Sequence, residues 1–110
     1  MVEPMSNDRY VPNGTPLTDH ERELLIILME ECAEVIQAAS KLIRFGKENR
    51  PDDLHLPNSE VLGIEVGDLK CMIDKVLIAG IIQAEHLSLG TKRKQARLLQ
   101  YMQTESEHAK

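Results

Sequence analysis

Two long stretches of the chain carry apolar residues at helical spacing. From Leu24 to Phe45, such residues recur three and four positions apart and predict a long amphipathic helix. Thr18 and Glu21 form a capping-box pattern just before it, and Gly46 follows it as a residue that can end a helix. A second helix is predicted from 61 to 78, with its N-cap at Asn58 or Ser59. The pattern therefore favours two long helices that each present an apolar face.

The rest of the chain predicts one or two further helices between polar ends. Segments 81–89 and 92–102 both have helical spacing, and Gly90 separates them. No segment has the alternation that is typical of a strand. We therefore expect an all-α protein in three parts: an irregular, proline-containing arm over 1–17, a helical bundle of three to four helices over 18–103, and a polar tail over 104–110.

Acidic residues interrupt both apolar faces. At about 100° per residue, Glu31 lies in the middle of the first apolar stripe, with Glu34 and Glu30 fanning out to one side. Asp68 lies within the second stripe, and Glu65 lies beside it. A carboxylate in an apolar face costs several kcal/mol unless it is paired or bound to a cation. If the two faces pack together, these carboxylates converge, and an all-oxygen donor set suits Mg²⁺, with Mn²⁺ as an alternative.

Charge and composition narrow the classes of partner. The chain has 13 basic and 18 acidic residues and a net charge of −5, which argues against a nucleic-acid partner. Its apolar runs are too short to span a membrane and none resembles a signal sequence, so we expect a cytoplasmic protein with no membrane partner. Cys32 and Cys71 show no metal-site spacing, and we expect both to be small buried hydrophobic residues.

The acidic pattern, Glu30-Glu31-x-x-Glu34 followed by Glu65-x-x-Asp68, resembles that of the MazG-like all-α nucleoside triphosphate pyrophosphohydrolases. That family carries EExxE on one helix and ExxD on the next. The resemblance covers about residues 17–98. It also includes the basic end of the first helix, from Lys41 to Gly46, and the run Lys94-x-x-Arg97-Leu98, which is similar to a basic KxxRL run in many family members.

The resemblance implies a hydrolase with a magnesium site. It implies that all five carboxylates ligate Mg²⁺. One of Glu30, Glu31 and Glu34, if not fully used in ligation, is the candidate general base that orients the attacking water, and the sequence does not say which. The implied reaction splits a ribo- or deoxyribonucleoside triphosphate between its α and β phosphates, releasing the monophosphate and pyrophosphate. The implied assembly is a homodimer or homotetramer, and oligomerisation would complete the site. Basic side chains are candidate contacts to the substrate phosphates: Lys41, Lys94 and Arg97.

Two other functions remain open from the sequence. The first is a non-catalytic helical interaction module whose acidic residues form salt bridges to Lys75, Lys41 or a partner; it explains less well why carboxylates occupy both apolar stripes. The second is a di-iron carboxylate bundle, which needs a Glu-x-x-His motif on each of two helices. The chain has that motif once, at Glu105 and His108. In every case the long apolar faces predict self-association.

Overall fold

The computed structural model describes residues 14–49, 56–102 and 104, and these residues form three helices. The helices are α1 (Asp19–Phe45), α2 (Asn58–Ile78) and α3 (Ala84–Tyr101). The all-α prediction is confirmed, since the described ranges contain no strand. α3 runs through Gly90 without a break, so the two predicted segments after α2 are one helix. Most of the predicted arm and tail, and residues 50–55 of the α1–α2 connection, lie outside the described residues.

α1 begins and ends where the sequence predicts. The Thr18 hydroxyl accepts a hydrogen bond from the Glu21 backbone N–H at 3.1 Å, and the Glu21 carboxylate accepts one from the Thr18 N–H at 2.9 Å. At the other end Gly46 has φ +89°, a backbone conformation that glycine adopts without steric cost. Its N–H donates to the carbonyl of Leu42 at 2.9 Å. The capping box and the glycine therefore fix both ends of a 27-residue helix.

α1 and α2 form an antiparallel hairpin that Asn58 holds closed. The Asn58 side chain is buried, and its amide donates to the Gly46 carbonyl at 3.2 Å. The Asn58 backbone N–H donates to the Asn49 carbonyl at 2.7 Å. The predicted cap at Asn58 or Ser59 is wrong: Pro57 occupies the N-cap position, and Asn58 is the first helical residue. Its amide joins the two helices across the connection instead of capping its own helix.

The apolar stripe predicted around Glu31 packs on α2. On α2 the interface is shifted from the predicted centre at Asp68 toward Glu65, because Ile64 and Asp68 are exposed and Val76 is buried. Stripe residues of α1 such as Leu24, Val35 and Leu42 are half-buried. Among the described residues, Ala38 and Val76 are the only apolar side chains that are fully buried. The prediction that Cys32 and Cys71 are buried is wrong for the single chain, because both lie on sides of their helices that face away from the interface.

α3 stands apart from the hairpin. α2 ends at Ile78, and Gly80 adopts φ +80° in the turn that follows. Within the described ranges α3 packs closely against neither α1 nor α2, and none of its side chains is buried. No helix in the described part of the chain combines the length and apolar character needed to cross a bilayer.

Candidate metal centre

Three carboxylates from two helices meet at the α1–α2 interface. Glu31 comes from α1, and Glu65 and Asp68 come from α2; one oxygen of each lies within 4.8 Å of the others. Spacing of three residues places Glu65 and Asp68 on the same side of α2, and hairpin packing brings Glu31 to them. Glu31 and Glu65 are half-buried, while Asp68 is exposed. The three residues, called the carboxylate group below, thus lie at the interface and open to solvent on one side.

The two other predicted ligands lie outside this group. Glu34 follows Glu31 by about one turn; it is exposed, and its charge acts on Glu65. Glu30 is also exposed, and it contributes no oxygen to the carboxylate group. The structure therefore brings together three of the five predicted ligands, places Glu34 beside them, and leaves Glu30 at the outer edge of the fan.

The three carboxylates of the group repel one another electrostatically. Partial burial, followed by the negative charges of Glu34, Asp68 and Glu31 and a hydrogen bond to Asp68, holds the pKa of Glu65 above its usual range. The one ion pair found in the described ranges joins Lys70 and Asp74 at 3.8 Å on the exposed side of α2. No described basic side chain pairs with the group, so a proton or an added cation is what can relieve the repulsion.

A small pocket adjoins the carboxylate group on the side of Glu34. It has a volume of about 150 Å³ and lies between α1 and α2, where Glu34, Lys41, Asn58 and Glu65 contribute to its lining. Lys41 is the cation among its lining residues. This volume is below the range of roughly 300–1,000 Å³ that is typical of small-molecule sites. The pocket has room for a phosphate group and not for a whole nucleotide.

A larger groove lies at the opposite side of the carboxylate group. Its volume is about 580 Å³, and its apolar lining includes Ile27 and Met72. Ile27 precedes Glu31 by four residues and Met72 follows Asp68 by four, so the groove begins about one helical turn from the carboxylates. Lys75 also lines this groove. The salt bridge to Lys75 that the interaction module predicts is not among the ion pairs of the described residues.

The two predicted phosphate contacts on α3 are not part of this arrangement. Lys94 lies in a groove formed by α3 residues alone, and the Arg97 guanidinium lies 6.0 Å from the centre of the Tyr101 ring. Because α3 packs closely against neither helix of the hairpin in the described part, one copy of the chain does not place Lys94 or Arg97 beside the carboxylates.

Sequence reasoning missed the positioning role of Asn58 and the groove beside the carboxylates. Asn58 holds the start of α2 against the end of α1 and also lines the small pocket. An asparagine at the start of a predicted helix was the available signal, and that signal equally predicts a cap. Ile27 and Met72 belong to the apolar stripes by their spacing, and only the crossing of the two helices shows that they flank an open groove. No protein-family model, curated protein or solved structure matches the chain.

Proposed function

We propose that this chain is a Mg²⁺-dependent pyrophosphohydrolase that cleaves a nucleoside triphosphate between its α and β phosphates, giving the monophosphate and pyrophosphate. The observation that supports this proposal is the meeting of Glu31, Glu65 and Asp68 at one point of the hairpin interface. Three carboxylates at this distance, with no described basic partner, destabilise the folded chain unless a cation binds them. The EExxE and ExxD patterns are the second support, because they include the three residues that the fold brings together.

The donor set is consistent with a hard divalent cation. All three donors are carboxylates, and no histidine or cysteine belongs to the carboxylate group. Oxygen donors suit Mg²⁺ and Mn²⁺, whereas zinc sites and di-iron bundles of the Glu-x-x-His type use nitrogen or sulfur ligands as well. When bound, the metal supplies charge neutralisation of the phosphates and activation of water.

Each residue near the carboxylate group has a proposed role. Glu31, Glu65 and Asp68 hold the metal. Glu34 accepts the proton of the attacking water, because it lies beside the group without contributing an oxygen to it. Water attacks the α phosphorus, the bond from that phosphorus to the bridging oxygen breaks, and pyrophosphate leaves with the oxygen. Lys41 binds a phosphate in the small pocket.

The groove beyond Ile27 and Met72 is the proposed place for the base and sugar. Its volume lies in the range of small-molecule sites, and its apolar lining can contact the face of a base. Glu30 as a ligand, and Lys94 and Arg97 as phosphate contacts, stay predictions.

The proposal is tested by pyrophosphate release. A panel of canonical and modified ribo- and deoxyribonucleoside triphosphates is incubated with the protein and Mg²⁺, and separately with chelator. We expect release with Mg²⁺ and none with chelator. Glu31→Gln should lower kcat at least about 100-fold, because it removes a metal ligand and keeps the side-chain shape. Glu60→Gln is the matched control, since Glu60 is an exposed carboxylate in the first turn of α2.

A non-catalytic interaction module is the second candidate function. The described ion pairs do not support the salt-bridged acidic core on which it depends, but the large exposed apolar side chains favour association with another chain. The same assay separates the two functions. A folded protein that shows neither pyrophosphate release on this panel nor stabilisation by Mg²⁺ would overturn the hydrolase and favour the module.

A further inference from the structure

One flank of α1, next to the stripe that packs on α2, carries a second apolar pattern that no other helix of the described residues covers. Its positions alternate by four and three residues through nearly three heptads, which is the spacing of a helix–helix seam. We call these six residues the α1 seam: Leu25, Met29, Cys32, Ile36, Ala39 and Ile43. The seam lies about 100° around α1 from the stripe that packs on α2, so the hairpin leaves it largely uncovered.

Four of the six seam residues are exposed, and the other two, Leu25 and Ala39, are half-buried. Met29 and Ile36 are each 69% exposed and Ile43 is 85% exposed. The residues that border it on the outer side are Ile26, Ala33 and Ser40, so no charge occupies this flank of α1 between residues 24 and 43. Two such flanks in contact would bury roughly 1,000 Å² from their large side chains, the area at which stable interfaces begin. An exposed helix face this apolar is unfavourable in water, and it is long enough to pack against a partner helix.

The charges of α1 favour a second copy as the partner and an antiparallel direction. Residues 19–34 of α1 contain six acidic residues and one basic residue, whereas residues 35–45 contain two basic residues and no acidic one. Two antiparallel copies place the acidic half of each helix beside the basic half of the other, while parallel copies place the two acidic halves together. The antiparallel arrangement also keeps seam against seam, because reversing the order of the six positions gives the same spacing.

We propose that the α1 seam is the contact between two copies of this chain, paired antiparallel about a two-fold axis that passes midway between Cys32 and Ile36. In this pairing Cys32 of one copy faces Ile36 of the second copy, and Leu25 faces Ile43. The contact buries Cys32, which the single chain leaves exposed. The inference does not rest on the proposed hydrolase activity, since it uses no residue of the carboxylate group.

Sedimentation velocity from about 1 to about 100 µM tests the seam. The mass obtained for the wild type should be twice the 12.4 kDa mass of one chain. Ile36→Glu should raise the dissociation constant roughly 100-fold or more, because each copy would then bury an unpaired charge at the centre of the contact. Gln37→Glu adds the same side chain one residue further, outside the seam, and should leave association unchanged. A wild-type monomer, or equal association of Ile36→Glu and wild type, would overturn the proposal.

Cysteine cross-linking tests the direction and does not depend on a disruptive substitution. One protein keeps Cys32 and carries Cys71→Ser; the other carries Cys32→Ser, Cys71→Ser and Ile36→Cys. When the two are mixed and oxidised, antiparallel pairing should give mainly the mixed disulfide between Cys32 and the introduced cysteine. Parallel pairing would give mainly the two self-disulfides and would overturn the antiparallel contact. Absence of any cross-linked dimer would overturn the seam itself.

Discussion

Glu65 is the residue at which folding and the proposed function conflict most directly. Its carboxylate is half-buried beside Glu31, Glu34 and Asp68, and its pKa is raised by that burial and by those charges. A position chosen for stability alone would carry an apolar or neutral residue, since like charges at this spacing each cost a few tenths of a kcal/mol. An acidic residue at this position is explained when a cation is part of the working protein.

Glu65→Gln should therefore stabilise the metal-free chain and abolish most of its stabilisation by Mg²⁺. In chelator it should raise the free energy of unfolding by about 1 kcal/mol, because it removes the charge that three neighbours repel. In excess Mg²⁺ the wild type should gain stability by mass action, and the variant should gain little or none. Thermal melts at one protein concentration, with Glu60→Gln as control, measure both effects. A variant stabilised by Mg²⁺ as strongly as the wild type would remove Glu65 from the metal site.

The metal-free stability gap should also depend on pH. A raised pKa means that folded Glu65 binds a proton more tightly than unfolded Glu65, so its protonation favours the folded state at low pH. That stabilisation is lost as pH rises through the folded pKa. In chelator, the wild type should be less stable than Glu65→Gln at pH 7, and the gap should narrow as the pH falls toward the folded pKa of Glu65. Melting temperatures of both proteins across this range check the sign, and a gap that stays constant would contradict it.

The sequence predicted which carboxylates meet better than it predicted how many belong to the group. Helical periodicity alone placed Glu31 and Asp68 on the apolar stripes, and the hairpin brings them together. It could not say how far the fan of charges reaches across the interface, because that depends on the angle at which α1 and α2 cross. Glu30 lies about 100° around α1 from Glu31, and at that angle its side chain is exposed and outside the carboxylate group.

At the scale of the elements, the hairpin depends on how α2 is tied to the end of α1. Asn58 supplies that tie through its buried amide and its backbone N–H. The sequence predicted both ends of α1 because their signals are local, with Thr18 and Glu21 at the start and Gly46 at the end. It mistook Asn58 for a cap because the bond to Gly46 spans twelve residues, and such a contact leaves no local pattern.

Asn58→Ala should destabilise the chain by about 1–2 kcal/mol. The substitution removes the hydrogen bond from the Asn58 amide and leaves the Gly46 carbonyl without this donor. Ser59→Ala, at the exposed neighbouring position, should change the stability by less than about 0.5 kcal/mol. Chemical denaturation at a fixed protein concentration measures both. Equal midpoints for the two variants would show that the Asn58 amide contributes nothing to closing the hairpin.

At the scale of the whole molecule, one copy of the chain leaves much apolar surface uncovered in its described part. Its described residues bury few apolar side chains, its α1 seam is open, and α3 stands apart from the hairpin. The carboxylate group, in contrast, is complete within one copy, because all three members come from α1 and α2 of the same chain. Metal binding and substrate turnover should therefore depend differently on assembly.

Separating the copies with Ile36→Glu should leave Mg²⁺ binding in place and reduce hydrolysis. Stabilisation by Mg²⁺ should persist in the monomer, since Glu31, Glu65 and Asp68 remain in one hairpin. If Lys94 and Arg97 bind the substrate phosphates, they do so from another copy, because one copy does not place them beside the carboxylates. Triphosphate hydrolysis should then fall at least about tenfold, since each lost charge-assisted contact costs about that much. Calorimetric Mg²⁺ titration and pyrophosphate release on the same monomeric protein separate the two effects. A monomer that hydrolyses at the full rate would show that α3 of a second copy supplies no substrate contact, while loss of Mg²⁺ binding would show that the carboxylate group itself requires the assembly.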